Sequence, residues 1–128
     1  MNKTILATGA LFGFLAVVLG ALGAHSLKTV LSDASLESFR IGVAYQMYHA
    51  LFLLFLGNTT CLEAREKRGV YFLILAGILC FSFSIYGLTT GLLAGLDFSS
   101  AAWITPLGGI LLMGGWLLML YRVFRPVS

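Results

Sequence analysis

The sequence predicts an all-α membrane protein, an antiparallel bundle of four transmembrane helices with both termini on the cytoplasmic side. Three observations lead to this prediction. Only 10% of the 128 residues are charged and 59% are apolar, whereas ordinary globular domains contain roughly 25% charged residues. Ionisable residues other than histidine divide the chain into four long uncharged runs, and the basic residues concentrate in alternate connections between these runs.

Each uncharged run has the length of one membrane crossing. The runs are 4–24, 41–62, 69–96 and 98–121, which contain 21, 22, 28 and 24 residues. A helix needs about 20 residues to cross a hydrocarbon core of roughly 30 Å, so no run can cross twice. The alternating segments of a membrane β-barrel do not occur. We predict one domain, residues 1–128, with spans over about 5–24, 39–57, 69–92 and 101–121.

The distribution of lysine and arginine predicts the orientation. Six of the eight basic residues lie at the two termini or in the second connection: Lys3, Arg65, Lys67, Arg68, Arg122 and Arg125. The first and third connections hold only Lys28 and Arg40. Because basic residues concentrate on the cytoplasmic side, both termini are expected inside. No basic stripe alternates with exposed aromatic residues, so no nucleic-acid partner is expected.

Small residues predict which helix faces pack closely. Lipid provides little hydrophobic drive for helix association, so small residues that let backbones approach mark packed faces. In span one they recur at intervals of three or four, at Gly9, Gly13, Ala16, Gly20 and Ala24. In span three they are Ala76, Cys80, Ser84, Gly87 and Gly91, and in span four Gly108, Gly109, Gly114 and Gly115. We expect span three to pack tightly against span one.

Local signals mark the helix ends. Ser32 or Ser35 is expected to cap span two, and Ser99 or Ser100 to cap span four. Pro106, which follows, is expected to free a backbone carbonyl or to kink span four. At the other end of the chain, Lys3 and the apolar stretch after it resemble a signal peptide. The periodic small residues suit a packed helix instead, so we expect this segment to be retained.

The segment Tyr45-Gln46-Met47-Tyr48-His49 is the most informative for chemistry. His49 lies nine residues past Arg40, about 13 Å below the outer interface at helical rise. An ionisable group at that depth is a candidate functional residue. Other polar side chains are expected in the same outer half of the membrane, so we predict a polar cluster or small pocket open to the outside. Its candidate ligand-binding residues are His25, Tyr45, Gln46, His49, Ser82, Ser84, Tyr86 and Thr105.

Two interpretations of this cluster stay open. Neutral histidine and glutamine often only bond neighbouring helices, for roughly 0.6 to 2 kcal/mol each, and serines often bond their own helix. Alternatively, the cluster binds a ligand or relays protons. No catalytic residue, metal or cofactor is expected, because no carboxylate lies within a span and His25 is too shallow to share a haem with His49. Cys61 and Cys80 lie at different depths, which opposes a disulfide.

Four motifs resemble the YgdD/YwdK-like family of small membrane proteins in order and spacing. They are Gly20-Ala21-Leu22-Gly23-Ala24-His25, Tyr45-Gln46-Met47-Tyr48-His49-Ala50-Leu51, Phe81-Ser82-Phe83-Ser84-Ile85-Tyr86 and Thr105-Pro106-Leu107-Gly108-Gly109. The resemblance covers nearly the whole chain and implies four spans and a domain of unknown function. Phe83 departs from the family pattern, in which glycine usually separates the two serines.

The sequence favours a structural or accessory membrane protein over two other functions. The expected location is the bacterial cytoplasmic (inner) membrane, where lipid surrounds the chain. The expected assembly is a homo-oligomer or a subunit of a larger membrane complex. The alternative is a binder or conduit for a small molecule or lipid-like ligand, through the cluster around His49. An enzyme is not expected, because the spans hold neither a carboxylate nor a metal triad.

Overall fold

The computed structural model describes residues 2–125, and the regular secondary structure of this part is helical throughout. Its α-helices are Asn2–Ala24, Asp33–Asn58, Ala64–Ile78, Ser84–Thr90 and Ile104–Phe124, and the π-helical segment Leu79–Phe83 joins the third to the fourth. Within these residues, four helical stretches are long and apolar enough to cross a membrane: Asn2–Ala24, Asp33–Asn58, Ala64–Thr90 and Ser99–Phe124. We call them spans one to four. The predicted all-helical, four-span fold class is confirmed.

The four spans associate as two pairs. Span one packs along span two, and span three packs along span four. Glycines make the closest contacts in both pairs. A Cβ added to Gly9 would lie 2.9 Å from the carbonyl oxygen of Ala50, and one added to Gly108 would overlap the backbone of Cys80 and Phe81. Any side chain at these two positions would therefore push the paired backbones apart.

The prediction that span three packs tightly against span one is wrong. These two spans meet mainly through side chains. The hydroxyls of Thr8 and Tyr71 are hydrogen-bonded at 2.9 Å, and the rings of Phe12 and Phe83 meet edge to face with centroids 6.0 Å apart. Side chains of this size keep the two backbones apart, so the small residues of span three cannot reach span one.

The small residues predicted to mediate packing meet several kinds of neighbour. Gly9, Gly13 and Gly20 of span one face span two, and Ala16 is buried. Ala24 is exposed, and Gly23, one position earlier, is buried against the Phe39 ring instead. Gly87 and Gly91 face Phe98 of the connection between spans three and four instead of another span. The remaining contacts pair Gly13 with Ala50, Gly20 with Val43, Cys80 with Gly108, and Gly115 with Ile74.

The two predicted serine caps have different outcomes. Ser32 caps span two, because its hydroxyl accepts a hydrogen bond from the Ser35 N–H at 3.1 Å. A cap by Ser99 or Ser100 on the helix of span four is wrong. The Ser99 N–H donates to the Asp97 carboxylate at 2.9 Å, opening a short 3₁₀ turn, and this bond holds the pKa of Asp97 below its ordinary value. The α-helix itself begins only at Ile104.

Pro106 fits span four without leaving an unpaired carbonyl. It is the third residue of the α-helix that begins at Ile104, and the first four N–H groups of a helix have no partner within it. The missing N–H of proline therefore removes no helical bond. The carbonyl that it would have met, that of Ala102, accepts from the Thr105 N–H at 3.3 Å. The predicted free carbonyl is thus wrong.

Candidate functional site

Gln46 joins three spans at the centre of the bundle. Its side chain is fully buried. The amide nitrogen donates to the carbonyl oxygen of Phe12 in span one at 2.8 Å, and the amide oxygen accepts from the Tyr86 hydroxyl of span three at 2.6 Å. Both polar atoms of Gln46 are therefore used inside the protein. Tyr45, the preceding residue, is instead 41% exposed.

His49 uses both of its ring nitrogens within the chain. Nδ1 lies 2.7 Å from the carbonyl oxygen of Tyr45, and Nε2 accepts from the indole N–H of Trp116 in span four at 3.0 Å. A carbonyl can only accept, so Nδ1 carries the proton and the imidazole is neutral. The side chain is only 4% exposed. In this arrangement His49 has no free nitrogen for a metal or a ligand.

Ser82, within the π-helical segment, and Ser84, directly after it, make hydrogen bonds to different helices. The Ser82 hydroxyl donates to the carbonyl oxygen of Gly42 in span two at 2.7 Å. The Ser84 hydroxyl donates to Phe81 of its own helix and lies 2.5 Å from the Thr105 hydroxyl of span four. A π-helical turn holds more residues than an α-helical turn, which changes the direction of the side chains that follow it. No feature of the sequence predicts this turn.

The candidate residues form three separate hydrogen-bonded sets. Gln46 bonds Tyr86, His49 bonds Trp116, and Ser84 bonds Thr105. His25 is exposed at the end of span one, and within residues 2–125 it makes no hydrogen bond to the other candidates. Most of these residues therefore lie at contacts between helices, whereas His25 lies away from them.

Trp116 is the partner that sequence reasoning missed. Its indole N–H is the one side-chain donor in the stretch 106–120 of span four, and such a group usually finds an acceptor when it lies away from water. This need for an acceptor was the one signal in the sequence that could have identified Trp116 as a partner. Beside Trp116 a surface groove opens, lined by Tyr45, His49, Phe81, Gly109, Leu112, Met113 and Trp116. Its walls are mostly apolar, and both nitrogens of His49 are already bonded within the protein.

Lys67 forms a second, unpredicted set of contacts between spans, at the end of the bundle where the N-terminus lies. It is only 2% exposed, and its ammonium donates to the carbonyl oxygen of Thr59 at 2.7 Å and to the side-chain oxygen of Asn2 at 3.1 Å. Thr59 follows the last helical residue of span two, where unpaired carbonyls and the helix dipole favour a cation. Lys67 therefore ties the start of span one to the end of span two.

The structure offers no metal centre within the residues that it describes, because no three His, Cys, Asp or Glu side chains there lie close enough together to hold an ion. Cys61 and Cys80 are both free thiols. The chemistry available at the described sites is hydrogen bonding between neutral groups, together with that of the Lys67 ammonium.

Comparison with known proteins places the chain in a family. A family profile described as "Protein of unknown function (DUF423)" matches residues 19–109. A "UPF0382 membrane protein" of Staphylococcus aureus is 35% identical over 123 residues, covering 96% of this chain and 97% of the relative. One of Haemophilus influenzae is 34% identical over 129 aligned residues, covering 100% and 99%. No solved structure matches. The chain belongs to the DUF423 family, and the prediction of a small membrane family of unknown function is confirmed.

Proposed function

We propose that this chain is a structural or accessory protein of the membrane, acting through contacts with further copies of itself or with a larger membrane assembly. The supporting observation is that the intramembrane polar groups are used internally. Gln46, His49, Ser82 and Ser84 all bond groups of neighbouring turns or spans. A specific small-molecule site needs a few convergent polar groups that remain available to the ligand. The same observation supports a function without catalysis.

An assembly role requires an outer surface able to meet protein. Span four is the least buried of the four spans, since only 17% of an apolar 18-residue stretch within it is buried. Leu117 is 66% exposed there, whereas Leu53 of span two is fully buried. These two leucines make a matched pair for cross-linking in intact membranes. A photo-reactive amino acid at position 117 should capture protein, and the same probe at position 53 should react only within the chain.

The size of the purified protein completes this test. After extraction in a mild detergent, native mass spectrometry should find species heavier than the 13.8 kDa chain, and their composition would distinguish a homo-oligomer from a mixed assembly. A monomer throughout, with no captured protein from position 117, contradicts the proposal. Capture at both positions in equal yield would indicate non-specific reaction and would also contradict it.

We further propose that the chain lies in the bacterial cytoplasmic membrane with both termini inside. The contact of Lys67 with Asn2 and that of Arg122 with the Glu66 carbonyl gather the N-terminus, the second connection and the end of span four at one end of the bundle. This end, hereafter the basic end, holds six basic and two acidic residues, a net charge of +4. The opposite end carries two basic and three acidic residues. Such asymmetry supports a cytoplasmic basic end.

Cysteine labelling tests this orientation. Cys61 is exposed at the basic end, so with Cys80 replaced by serine a membrane-impermeant maleimide should label inverted vesicles and not intact spheroplasts. In a variant without native cysteines, Ser26→Cys at the opposite end should give the reverse result. Labelling of Cys61 from outside intact cells would overturn the orientation.

A further inference from the structure

Residues 91–103, hereafter the apolar segment, join the α-helices of spans three and four at the end of the bundle opposite the basic end. Four of its large apolar side chains are between 42% and 64% exposed: Phe98, Leu93, Leu96 and Trp103. Apolar surface in contact with water is unfavourable by about 25 cal/mol per Å². Exposed apolar side chains grouped in one short segment therefore indicate contact with something less polar than water.

The connection 59–63 at the basic end has the opposite arrangement. Its one large apolar side chain, that of Leu62, is buried in the core, whereas its polar residues Thr60 and Glu63 are exposed. This is the arrangement expected of a connection that faces water. The apolar segment holds a single charged residue, Asp97. The two connections therefore suit different surroundings.

The apolar segment folds back along the end of span three. The N–H of Leu96 donates to the carbonyl oxygen of Gly91 at 2.9 Å, and Gly95 between them has a φ of 76°. This is the Schellman arrangement, which ends a helix and reverses the chain. The Phe98 ring lies against Gly91, where an added Cβ would be 2.6 Å from it, and near Gly87, where the distance would be 3.8 Å. The segment thus returns along span three by about one helical turn, roughly 5 Å.

A groove shared by three spans gives the depth of the other end of the segment. Its lining includes Ile41 of span two, Leu88 of span three and Ala102 of span four, so these residues lie at nearly the same depth. Ile41 ends the long uncharged run of span two, and Arg40 beside it is charged. Such a charge marks the edge of the hydrocarbon core. Trp103, which follows Ala102, therefore lies near this edge.

The backbone of the apolar segment also suits this depth. Its regular parts are two short 3₁₀ turns, Gly91–Ala94 and Ser99–Ala101, which leave backbone groups between them that an α-helix would pair. Irregular backbone in contact with lipid does not occur within the hydrocarbon core. The headgroup region, roughly 5 to 8 Å thick on each side of the core, contains water and polar groups that can bond this backbone.

We propose that the apolar segment binds the headgroup region of the lipid leaflet on its side of the membrane, with Leu96 and Trp103 inserted between phospholipid molecules and Asp97 facing water. The Trp116 indole donates to His49, whereas that of Trp103 has no acceptor within residues 2–125. An apolar ring with a free N–H is typical of the membrane interface. The inference goes beyond the assembly role proposed above and does not depend on it, since a monomer would carry the same segment.

Tryptophan fluorescence measures the depth of the segment. The chain has two tryptophans, so Trp116→Phe leaves Trp103 as the only emitter. This variant is placed in nanodiscs of phosphatidylcholine whose acyl chains carry bromine, a quencher, at a single known depth. The loss of Trp103 emission should be greatest with bromine nearest the headgroup and smaller at each deeper position. In the matched variant Trp103→Phe, deeper bromine should quench Trp116 most, because this residue lies about 9 Å inside Arg122 at helical rise.

Iodide, a quencher confined to water, identifies the other possible surroundings. Quenching of Trp103 by iodide without quenching by bromine would show that the segment lies in water. Protection from both quenchers would show that a second copy or another protein covers it. Either result would overturn the proposal, and neither depends on the cross-linking at position 117 that tests assembly.

Spin labels compare the two connections in the same bilayer. One label is attached to Leu96→Cys in a chain without native cysteines. The matched control carries its label on the native Cys61 in Cys80→Ser, since Leu96 and Cys61 are both exposed. Oxygen concentrates in lipid and a polar nickel chelate stays in water, so the ratio of oxygen to nickel collisions should be higher at position 96. Equal ratios, or a higher ratio at Cys61, would contradict insertion of the segment.

A pair of glycine variants tests how the fold holds the segment at this depth. Gly91→Ala places a Cβ against the Phe98 ring, which should push the ring away and move a label at position 96 toward water, lowering its oxygen-to-nickel ratio. Gly87→Ala is the control, because its Cβ would meet the same ring at an ordinary contact distance, and the ratio should not change. An unchanged ratio in Gly91→Ala would contradict the fold-back that places the segment at the interface.

Discussion

The contacts within the two helix pairs differ in kind from those between the pairs. Within each pair the closest approaches are glycines against backbone, Gly9 on Ala50 and Gly108 on Phe81. Between the pairs, apolar side chains of all four spans meet in one core, and polar side chains form hydrogen bonds. These are the bonds of Tyr86 to Gln46, Trp116 to His49, Ser82 to the Gly42 carbonyl, Thr8 to Tyr71, and Lys67 to Asn2.

This difference follows from how helices associate in lipid. Close van der Waals packing and interhelical hydrogen bonds remain once the hydrophobic effect is lost. Glycine packing needs two backbones that stay close along their length, as in the two pairs. A hydrogen bond needs only two atoms at the same depth, so it can connect helices that larger side chains keep apart. The polar residues that looked functional in the sequence are therefore mostly the residues that join the pairs.

The largest effect is expected where a side chain is added inside a pair. Gly108→Ala places a Cβ against the backbone of Cys80 and Phe81, and overpacking of this kind costs about 1 to 3 kcal/mol or more. Gly109→Ala is the matched control, since its Cβ would meet only the Phe81 ring at 3.9 Å. Equilibrium unfolding in mixed detergent should show a large decrease in the free energy of unfolding for Gly108→Ala and not for Gly109→Ala. Equal losses would contradict close packing at Gly108.

Removal of Gln46 should weaken the junction between the pairs. Gln46→Leu leaves the Tyr86 hydroxyl without its acceptor, and an unsatisfied buried polar group costs about 1 to 3 kcal/mol. A double-mutant cycle with Tyr86→Phe should give a coupling free energy of about 0.6 to 1.7 kcal/mol. Tyr48→Phe serves as the control, because the Tyr48 hydroxyl makes no hydrogen bond within residues 2–125. Strictly additive losses would show that the two side chains act independently.

Lys67 offers a local test at the basic end. Lys67→Met removes the ammonium that bonds Thr59 and Asn2, and a hydrogen bond to a charged group contributes about 1.5 kcal/mol or more. Hydrogen exchange in the first bonded turn of span one should therefore accelerate about tenfold. Exchange near the centre of span one should stay unchanged, and so should exchange throughout the control Lys28→Met. Faster exchange along the whole of span one would indicate that Lys67 stabilises the whole fold and not one local contact.

The smallest effect is expected at the bond between Trp116 and His49. Trp116→Phe removes the indole N–H and leaves an aromatic ring beside Phe52, so the expected loss is about 0.6 kcal/mol, typical of a single bond in a membrane bundle. Trp103→Phe is the control, because Trp103 is 64% exposed. A separate variant, His49→Phe, tests the ligand-binding interpretation. If it kept the wild-type free energy of unfolding but lost a molecule that co-purifies with the wild type, that interpretation would replace the structural one.

The fold class and part of the candidate site could be predicted from the sequence. The depth of His49 and Gln46 in span two follows from counting residues along one helix, and both are buried as intramembrane polar groups should be. Their partners could not be predicted. Gln46 bonds a residue 34 positions away and His49 one 67 positions away, and no local pattern encodes such distances. The sequence also offered no sign of the π-helical turn that contains Ser82 and ends just before Ser84.

The number of spans, their helical character and the segregation of charge were determined by the sequence alone. Each depends on local length and composition, which the membrane imposes on every span separately. Only the tertiary structure decided that span three pairs with span four, and that both nitrogens of His49 are occupied. These features require two distant groups to meet at one depth and in one direction, because both close packing and hydrogen bonds act only at short range.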